Sequence, residues 1–305
     1  MKILIASPDI PYYNWQILVQ INNFKKFGYG QDVIYVIGVN KGQELSNQLK
    51  EIFLQTNTQF YVYEDERIAV IYPSTLRLHI LEKFFKNHPD IDKTFFYVDP
   101  DLLFAKKIKF GQLERGNTWY VSDTRSYLDS KYIRSKGEEL FQTMASIVGL
   151  LPKIIMDNDE NAGGAQYLLK NIDWEFWSKT YYDAEHLYRY MKETEGTFNP
   201  EHPIQSWTAD MWAVFWGALY YKHKVKISDK LDFSWATDVI DTYNKKNLFH
   251  NAGVFNQKHL FNKTHYQKSP FNSDFSHVSK EFCSYKYVEE IEETKNNFPE
   301  LIKLF

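Results

Sequence analysis

Cysteine is all but missing from this chain: Cys283 is the only one in 305 residues. An intramolecular disulfide is thereby excluded, as is a cysteine-rich zinc site, and a reducing compartment is the expected home. No run of about 18 uninterrupted apolar residues occurs, so no transmembrane helix is expected. The opening Met1-Lys2-Ile3-Leu4-Ile5-Ala6 is apolar for too short a stretch to be a secretory signal, and Asp9 and Pro11 interrupt it at once. These absences lead to the expectation of a cytoplasmic protein, bacterial or made in a virus-infected host cell. They also make the Asn262-Lys263-Thr264 sequon irrelevant to glycosylation of this chain. Neither sign of charge prevails, with 36 Lys and Arg against 39 Asp and Glu. That argues against a broad electrostatic footprint for nucleic acid. A dinucleotide G-x-G-x-x-G, a Walker loop, H-E-x-x-H and G-x-S-x-G are all absent, so oxidoreductase, P-loop and serine-hydrolase readings have no support.

What the chain has in quantity is aromatic side chains, 17 % of the total, with 22 Tyr, 23 Phe and 8 Trp. Aromatic faces suit sugars and bases. Lys, Asn, Ile, Phe and Tyr also run high together, however, as they do in proteins of AT-rich genomes, and that bias accounts for most of the enrichment. The first hundred residues alternate short apolar runs with helical spacing. Strands are expected at Lys2 to Ala6, Val33 to Val39, Phe60 to Tyr63 and Thr94 to Val98. Helices are expected at Trp15 to Phe27, Gln43 to Leu54 and Ser74 to Phe85. Such alternation implies an α/β fold with a mostly parallel sheet flanked by helices, whose ligands bind beyond the carboxyl ends of the strands. Further on, Trp119 to Ser122 reads as a strand, and Lys136 to Leu150, Trp174 to Met191 and Ser206 to Tyr221 as helices. From Asn244 onward the pattern is polar, aromatic and loop-rich.

The sharpest local signal is Tyr97-Val98-Asp99-Pro100-Asp101-Leu102-Leu103-Phe104. A hydrophobic strand runs straight into two carboxylates two residues apart. Carboxylates so placed can converge on one hard cation, and an oxygen-rich site without sulfur suits Mn²⁺ or Mg²⁺. Such an ion could bridge a diphosphate and neutralise it as a leaving group. The structural alternative is an Asp-Pro turn with Asp101 as a helix cap.

This stretch resembles the strand-DxD signature of GT-A (Rossmann-like) glycosyltransferases, and its style is similar to that of the retaining glycosyltransferase family 8. The resemblance covers roughly residues 1–255 and rests on short motifs in order. It implies a GT-A domain over 1–255, with a nucleotide-binding half at 1–104 and an acceptor or sugar half at 105–255. A C-terminal extension, 256–305, would pack on the same unit. It implies further that Asp99 and Asp101 hold the metal, with Asp99 also near the donor's ribose. The helix before the motif offers Arg77 as a donor contact, with Lys83 as a lesser one. Asn161-Ala162-Gly163-Gly164-Ala165-Gln166 looks like the family's Asn-Ala-Gly segment. There the amides of Asn161 and Gln166 would meet sugar hydroxyls, and Gly163 and Gly164 would let backbone approach the donor; a glycine bulge is the structural alternative.

His250-Asn251-Ala252-Gly253 resembles the family's H-x-x-G, whose His completes the metal shell. The Lys-Pro-Trp that follows it in the family is missing. Lys258 is the expected diphosphate contact, and Lys263 also lies near. Asp210, at the start of a helix, stands where the family has an acidic segment against the reacting sugar, and Asp123 is its rival. Ser7, Tyr12 and Tyr13, in the loop after the first strand, are expected to line the nucleotide base.

The resulting expectation is a metal-dependent enzyme that moves a sugar from a nucleotide-sugar, UDP-linked by resemblance, to an acceptor hydroxyl with retention. The acceptor, a glycan, a protein or a modified nucleic acid, is left open. Two alternatives belong to other classes: a glycoside hydrolase with paired carboxylates, and a non-catalytic sugar- or nucleotide-binding protein on the same scaffold.

Overall fold

A computed structural model describes residues 1–91 and 93–305. The chain runs β1 (Lys2–Pro8), α1 (Pro11–Lys26), β2 (Val33–Asn40), α2 (Asn47–Thr56), β3 (Gln59–Asp65), α3 (Leu76–Asn87), β4 (Thr94–Tyr97) and β5 (Leu102–Phe104). It continues through β6 (Trp119–Asp123), α4 (Arg125–Leu128), α5 (Ser130–Lys136), α6 (Glu138–Ile147), α7 (Pro152–Met156), β7 (Gly163–Lys170), α8 (Trp174–Glu193) and α9 (Ala209–Tyr220). The last elements are β8 (Val225–Ile227), β9 (Phe233–Trp235), α10 (Ile240–Lys245), β10 (Leu248–His250), α11 (Ser284–Asn297) and α12 (Pro299–Ile302). The hydrogen-bonded order is β3-β2-β1-β4-β7-β6-β8 in a mostly parallel seven-stranded sheet and β5-β10-β9 in a second, three-stranded one. β1 and β2 pair in parallel, as do β6 and β8, while β7 runs antiparallel to both β4 and β6. The α/β alternation expected from the apolar periodicity is therefore present. No described helix is long and apolar enough to cross a membrane.

Local chemistry fixes the element ends. Pro11 starts α1, where a missing N–H is no loss. Ser46 caps α2 by accepting from Leu49 N at 3.3 Å, and Asp173 caps α8 by accepting from Phe176 N at 2.9 Å. The caps also correct two boundaries: α2 starts at Asn47 and not at Gln43, and α1 begins at Pro11, so Tyr12 and Tyr13 lie on a helix and the loop after β1 is short. The helix expected over Lys136 to Leu150 is interrupted at Gly137, which is extended (φ 172°) between α5 and α6.

Two compact units emerge. One comprises 1, 63–97 and 111–229; the other comprises 2–62, 98–110 and 230–305. In the first, α8 buries Phe176, Trp177, Thr180, Ala184, Leu187 and Met191, a stripe at helical spacing. Buried rings in the same unit, Trp177, Trp212, Trp216 and Trp119, supply much of its core. In the second unit, α1 is buried nearly all round and carries Gln16, Gln20, Asn22 and Asn23 among its apolar residues. Buried amides need partners. Asn22 and Asn23 donate to the two oxygens of Glu290 on α11 at 2.6 and 3.1 Å. Asn23 also exchanges hydrogen bonds with the backbone of Phe104. The C-terminal stretch is thus more than loops: α11 packs Tyr287, Val288 and Ile291 inward and is pinned to α1 through Glu290.

Candidate metal and sugar sites

Asp99, Pro100, Asp101 and Leu102 form a tight turn closed by Leu102 N donating to Asp99 O at 3.2 Å. Proline sets the backbone angle for the second position of such a turn. The Asp-Pro turn is therefore present together with a pair of convergent carboxylates, but Asp101 caps no helix, because the strand β5 follows it directly. The turn is held from α1, where Gln20 Nε2 donates to Asp99 O at 2.7 Å and to Leu102 O at 3.0 Å. Tyr35 OH donates to Gln20 Oε1 at 2.9 Å and fixes that amide in turn. β10 then pairs antiparallel with β5, setting His250 opposite Leu102.

That register carries a histidine far away in sequence to the two aspartates. His250 Nε2 lies 3.4 Å from Asp101 Oδ1 and 3.9 Å from Asp99 Oδ2. One ligand atom from each of the three residues falls within 4.8 Å of the others. Trp235, beside His250 in the β9–β10 register, stacks on the imidazole with centroids 5.7 Å apart at 18°. Asp101 and His250 are buried, and Asp99 is part-exposed. Lys263 Nζ forms an ion pair with Asp101 Oδ2. Burial alone would push the Asp101 carboxyl up, but Lys263 and His250 beside it hold it well below the usual carboxylate range. Burial works against the Lys263 ammonium too, and Asp101 outweighs it, raising that group to about 12. Two carboxylates and an imidazole so grouped fit a hard or borderline divalent cation.

Around this cluster, Tyr12 lies close enough for its ionisation to feel Lys263 and Asp101; burial is the main cause that lifts its phenol to about 12. Its ring meets Tyr13 edge-on at 4.9 Å. Ser7 is fully buried at the end of β1, with its hydroxyl donating to Pro8 O. Lys258 is exposed, so the lysine that reaches the aspartates is Lys263. Sequence reasoning named Lys263 only as a neighbour, because its Lys-Pro-Trp context is missing.

The remaining expected residues lie in the other unit. Asp210, at the first turn of α9, is buried and ion-paired with Arg77. Tyr72 OH donates to Asp210 Oδ1 at 2.8 Å. Tyr72 stacks on Tyr188, centroids 4.4 Å apart, and Glu185 accepts from Ile71 N, Tyr72 N and Thr75 Oγ1. This support from α8 was invisible in the sequence. Asp123 is exposed at the end of β6 and is clasped by Arg125 at 3.0 and 2.6 Å.

Gly163 and Gly164 pair with Asp123 and Ser122, and the β6–β7 register shifts just after them along β7, between Gly164 and Tyr167. Ala165 takes a positive φ of 65°, and two residues, Ala165 and Gln166, leave the ladder as a bulge. A Cβ on Gly163 would lie 2.4 Å from Ser122 O and 2.4 Å from a Val121 methyl. The glycines therefore serve the close strand approach that the bulge requires. Gln166 is fully buried, its Oε1 accepting from Ser122 Oγ at 2.6 Å. Asn161 is part-exposed at the end of a short 3₁₀ turn before β7.

The sequence matches no protein-family model and no curated protein. Among solved structures, the chain is similar to the galactosyltransferase LgtC in complex with donor and acceptor sugar analogs, at 10 % identity, 96 % of each chain covered and a TM-score of 0.47. An active-site mutant of LgtC gives 10 % identity, the same coverage and 0.49. The apo structure of the bifunctional glycosyltransferase WbbM gives 11 % identity, 99 % of this chain, 51 % of that chain and 0.51. This chain thus spans about half the length of WbbM. The likeness to WbbM shows the fold to be that of a glycosyltransferase, as the sequence led us to expect.

Proposed function

We propose that the protein is a metal-dependent glycosyltransferase that moves a sugar from a nucleotide-sugar, UDP-linked, to an acceptor hydroxyl. The observation that carries this reading is the convergence of Asp99, Asp101 and His250, with Lys263 on the Asp101 carboxylate. Asp99, Asp101 and His250 would hold Mn²⁺ or Mg²⁺, which would supply the positive charge that a departing diphosphate needs. Lys263 places a second positive charge beside that position, suited to a phosphate oxygen. Tyr12 stays protonated across the neutral range and can donate a hydrogen bond to the donor. In the other unit, the oriented carboxylate of Asp210, with Arg77 and Tyr72, suits the hydroxyls of a sugar. Retention of configuration is carried by the family resemblance alone.

The test is thermal melting with Mn²⁺ and UDP, separately and together, on wild type and Asp99→Asn. Asp99 is the right position to change because the part-exposed Lys263 pairs with Asp101 and keeps its partner. A ligand at 100 times its Kd stabilises by about 2.7 kcal/mol, a shift of roughly 4 °C for 305 residues. The expected result is a shift that needs both additions and is lost in Asp99→Asn, together with UDP release from a UDP-sugar. No shift with any nucleoside diphosphate and either metal would sink the proposal. A shift without turnover on any sugar donor would favour a binding protein.

A further inference from the structure

We infer that the first unit carries a binding site for a neutral saccharide, built on Trp207 and Tyr127 beside a polar cavity. This deepens the glycosyl-transfer reading and rests on it, since the saccharide would be the acceptor. Among the eight tryptophans Trp207 stands out: most are buried, whereas it is 55 % exposed. It is held in place all the same, because its carbonyl shares the single Tyr72 hydroxyl proton with Asp210 Oδ1. Its ring lies 6.3 Å from that of Tyr127 on α4. An indole fixed by its backbone and more than half exposed offers apolar surface to the C–H face of a pyranose.

The chain leading into Tyr127 lines a cavity of about 610 Å³, together with Asp129, Lys131, Tyr132, Ser135, Asp159 and Glu160. That volume falls within the range of small-molecule sites, about 300–1,000 Å³. Tyr132 ties the cavity to the Trp207 segment, its hydroxyl accepting from Gln205 N at 3.1 Å. The lining has two basic and three acidic side chains, Arg125 and Lys131 against Asp129, Asp159 and Glu160. Several are already engaged. Asp129 caps α5, Asp159 accepts from Ser130, and Arg125 clasps Asp123. Mixed charge of this kind gives donors and acceptors without a net attraction for a polyanion. It matches a polyhydroxyl ligand and not a nucleic acid, which would need a basic surface.

The experiment is saturation-transfer NMR on the whole protein with neutral mono- to tetrasaccharides, a sulfated glycan fragment and a peptide mixture. Binding of a neutral saccharide through its ring protons is expected. Trp207→Ala should weaken its Kd about tenfold, equivalent to about 1.4 kcal/mol, and Trp207→Phe less than threefold. The melting shift with Mn²⁺ and UDP serves as the fold control for both variants. Binding of the sulfated fragment or peptides alone, no saccharide binding at millimolar concentration, or wild-type affinity in Trp207→Ala would each overturn the inference. Saccharide binding by a protein that releases UDP from no sugar donor would leave this site standing and remove the glycosyl-transfer reading. Sugar transfer insensitive to Trp207 would do the reverse.

Discussion

Replacing Asp101 by alanine should damage the protein in two separable ways. Asp101 is 3 % exposed, and its carboxylate balances the Lys263 ammonium. Removing Asp101 leaves the Lys263 charge uncompensated; because that side chain keeps 23 % exposure, the cost falls below that of a fully buried pair, at about 2–3 kcal/mol. For a chain of 305 residues that lowers the melting temperature by roughly 3–5 °C. Lys263→Met on top of Asp101→Ala removes the stranded charge and should recover a large part of the loss. The interaction term of this double-mutant cycle should therefore exceed about 1 kcal/mol, within the range for residues in direct contact. Metal-dependent stabilisation behaves differently: it should vanish in Asp101→Ala and stay absent in the double variant, because no charge balance restores a missing ligand. Melting curves of the four proteins, each metal-free and then with Mn²⁺ and UDP, measure both effects. An interaction term below about 0.5 kcal/mol would refute the structural half of the argument. A double variant that regained the Mn²⁺ and UDP shift would refute the ligand half.

Two further outcomes follow from the first unit. Gly163→Ala would set a Cβ 2.4 Å from both Ser122 O and a Val121 methyl; the strands must part, and a loss of about 1–3 kcal/mol is expected by denaturant unfolding. A variant as stable as wild type would show that the β6–β7 approach is looser than described. Asp183 is raised from 3.8 to about 6, burial outweighing the neighbouring Lys179. Its folded form thus holds a proton to higher pH than the unfolded chain, so its contribution is complete below about pH 4 and is lost as pH rises through 6. Asp183→Asn keeps a neutral side chain, and its stability relative to wild type should climb by roughly 3 kcal/mol between pH 4 and 7. A difference independent of pH would refute the assignment.

The sequence showed the strands and helices of the first hundred residues because buried strands there are continuous apolar runs and the helices between them keep a 3.6 period. It also showed the DxD turn, since an Asp-Pro-Asp between two apolar runs has few other uses. His250 was legible only through a resemblance, because what brings it to Asp101 is the antiparallel register of β5 and β10, a non-local pairing. Lys263 was weaker still: it is 162 residues from its partner, and no local pattern marks it. Gln20 left a trace, a polar residue on the buried side of an apolar helix, but its two carbonyl partners sit about eighty positions away. α11 was missed for another reason. Its exposed face is so rich in Glu and Lys that the buried Tyr287, Val288, Ile291 and Thr294 are hard to see as a stripe. The two units interleave along the chain, which no composition shift announces.

Asp210, its rival Asp123 and the amide of Gln166 were the candidates in the sequence for work on the sugar, and their surroundings separate them. Gln166 is fully buried, with its carbonyl oxygen on Ser122, so it supports the bulge that shapes the end of β6. Asp123 is exposed, and both its oxygens are taken by Arg125, an intimate pair two residues apart that solvent screens. Asp210 is the one carboxylate of the three that is buried and also steered from two sides, by Tyr72 on Oδ1 and Arg77 on Oδ2. Tyr72 is itself locked by stacking on Tyr188, and the backbone before it by Glu185. Met211 N also donates to Oδ1, at 3.1 Å, so Asp210 is oriented by at least three contacts. Preorganisation of that kind is what a group needs if it is to meet a hydroxyl in one geometry. On these grounds Asp210, with Tyr72, Arg77 and Glu185 as the residues that position it, is the one of the three that the proposed glycosyl transfer would use on the sugar.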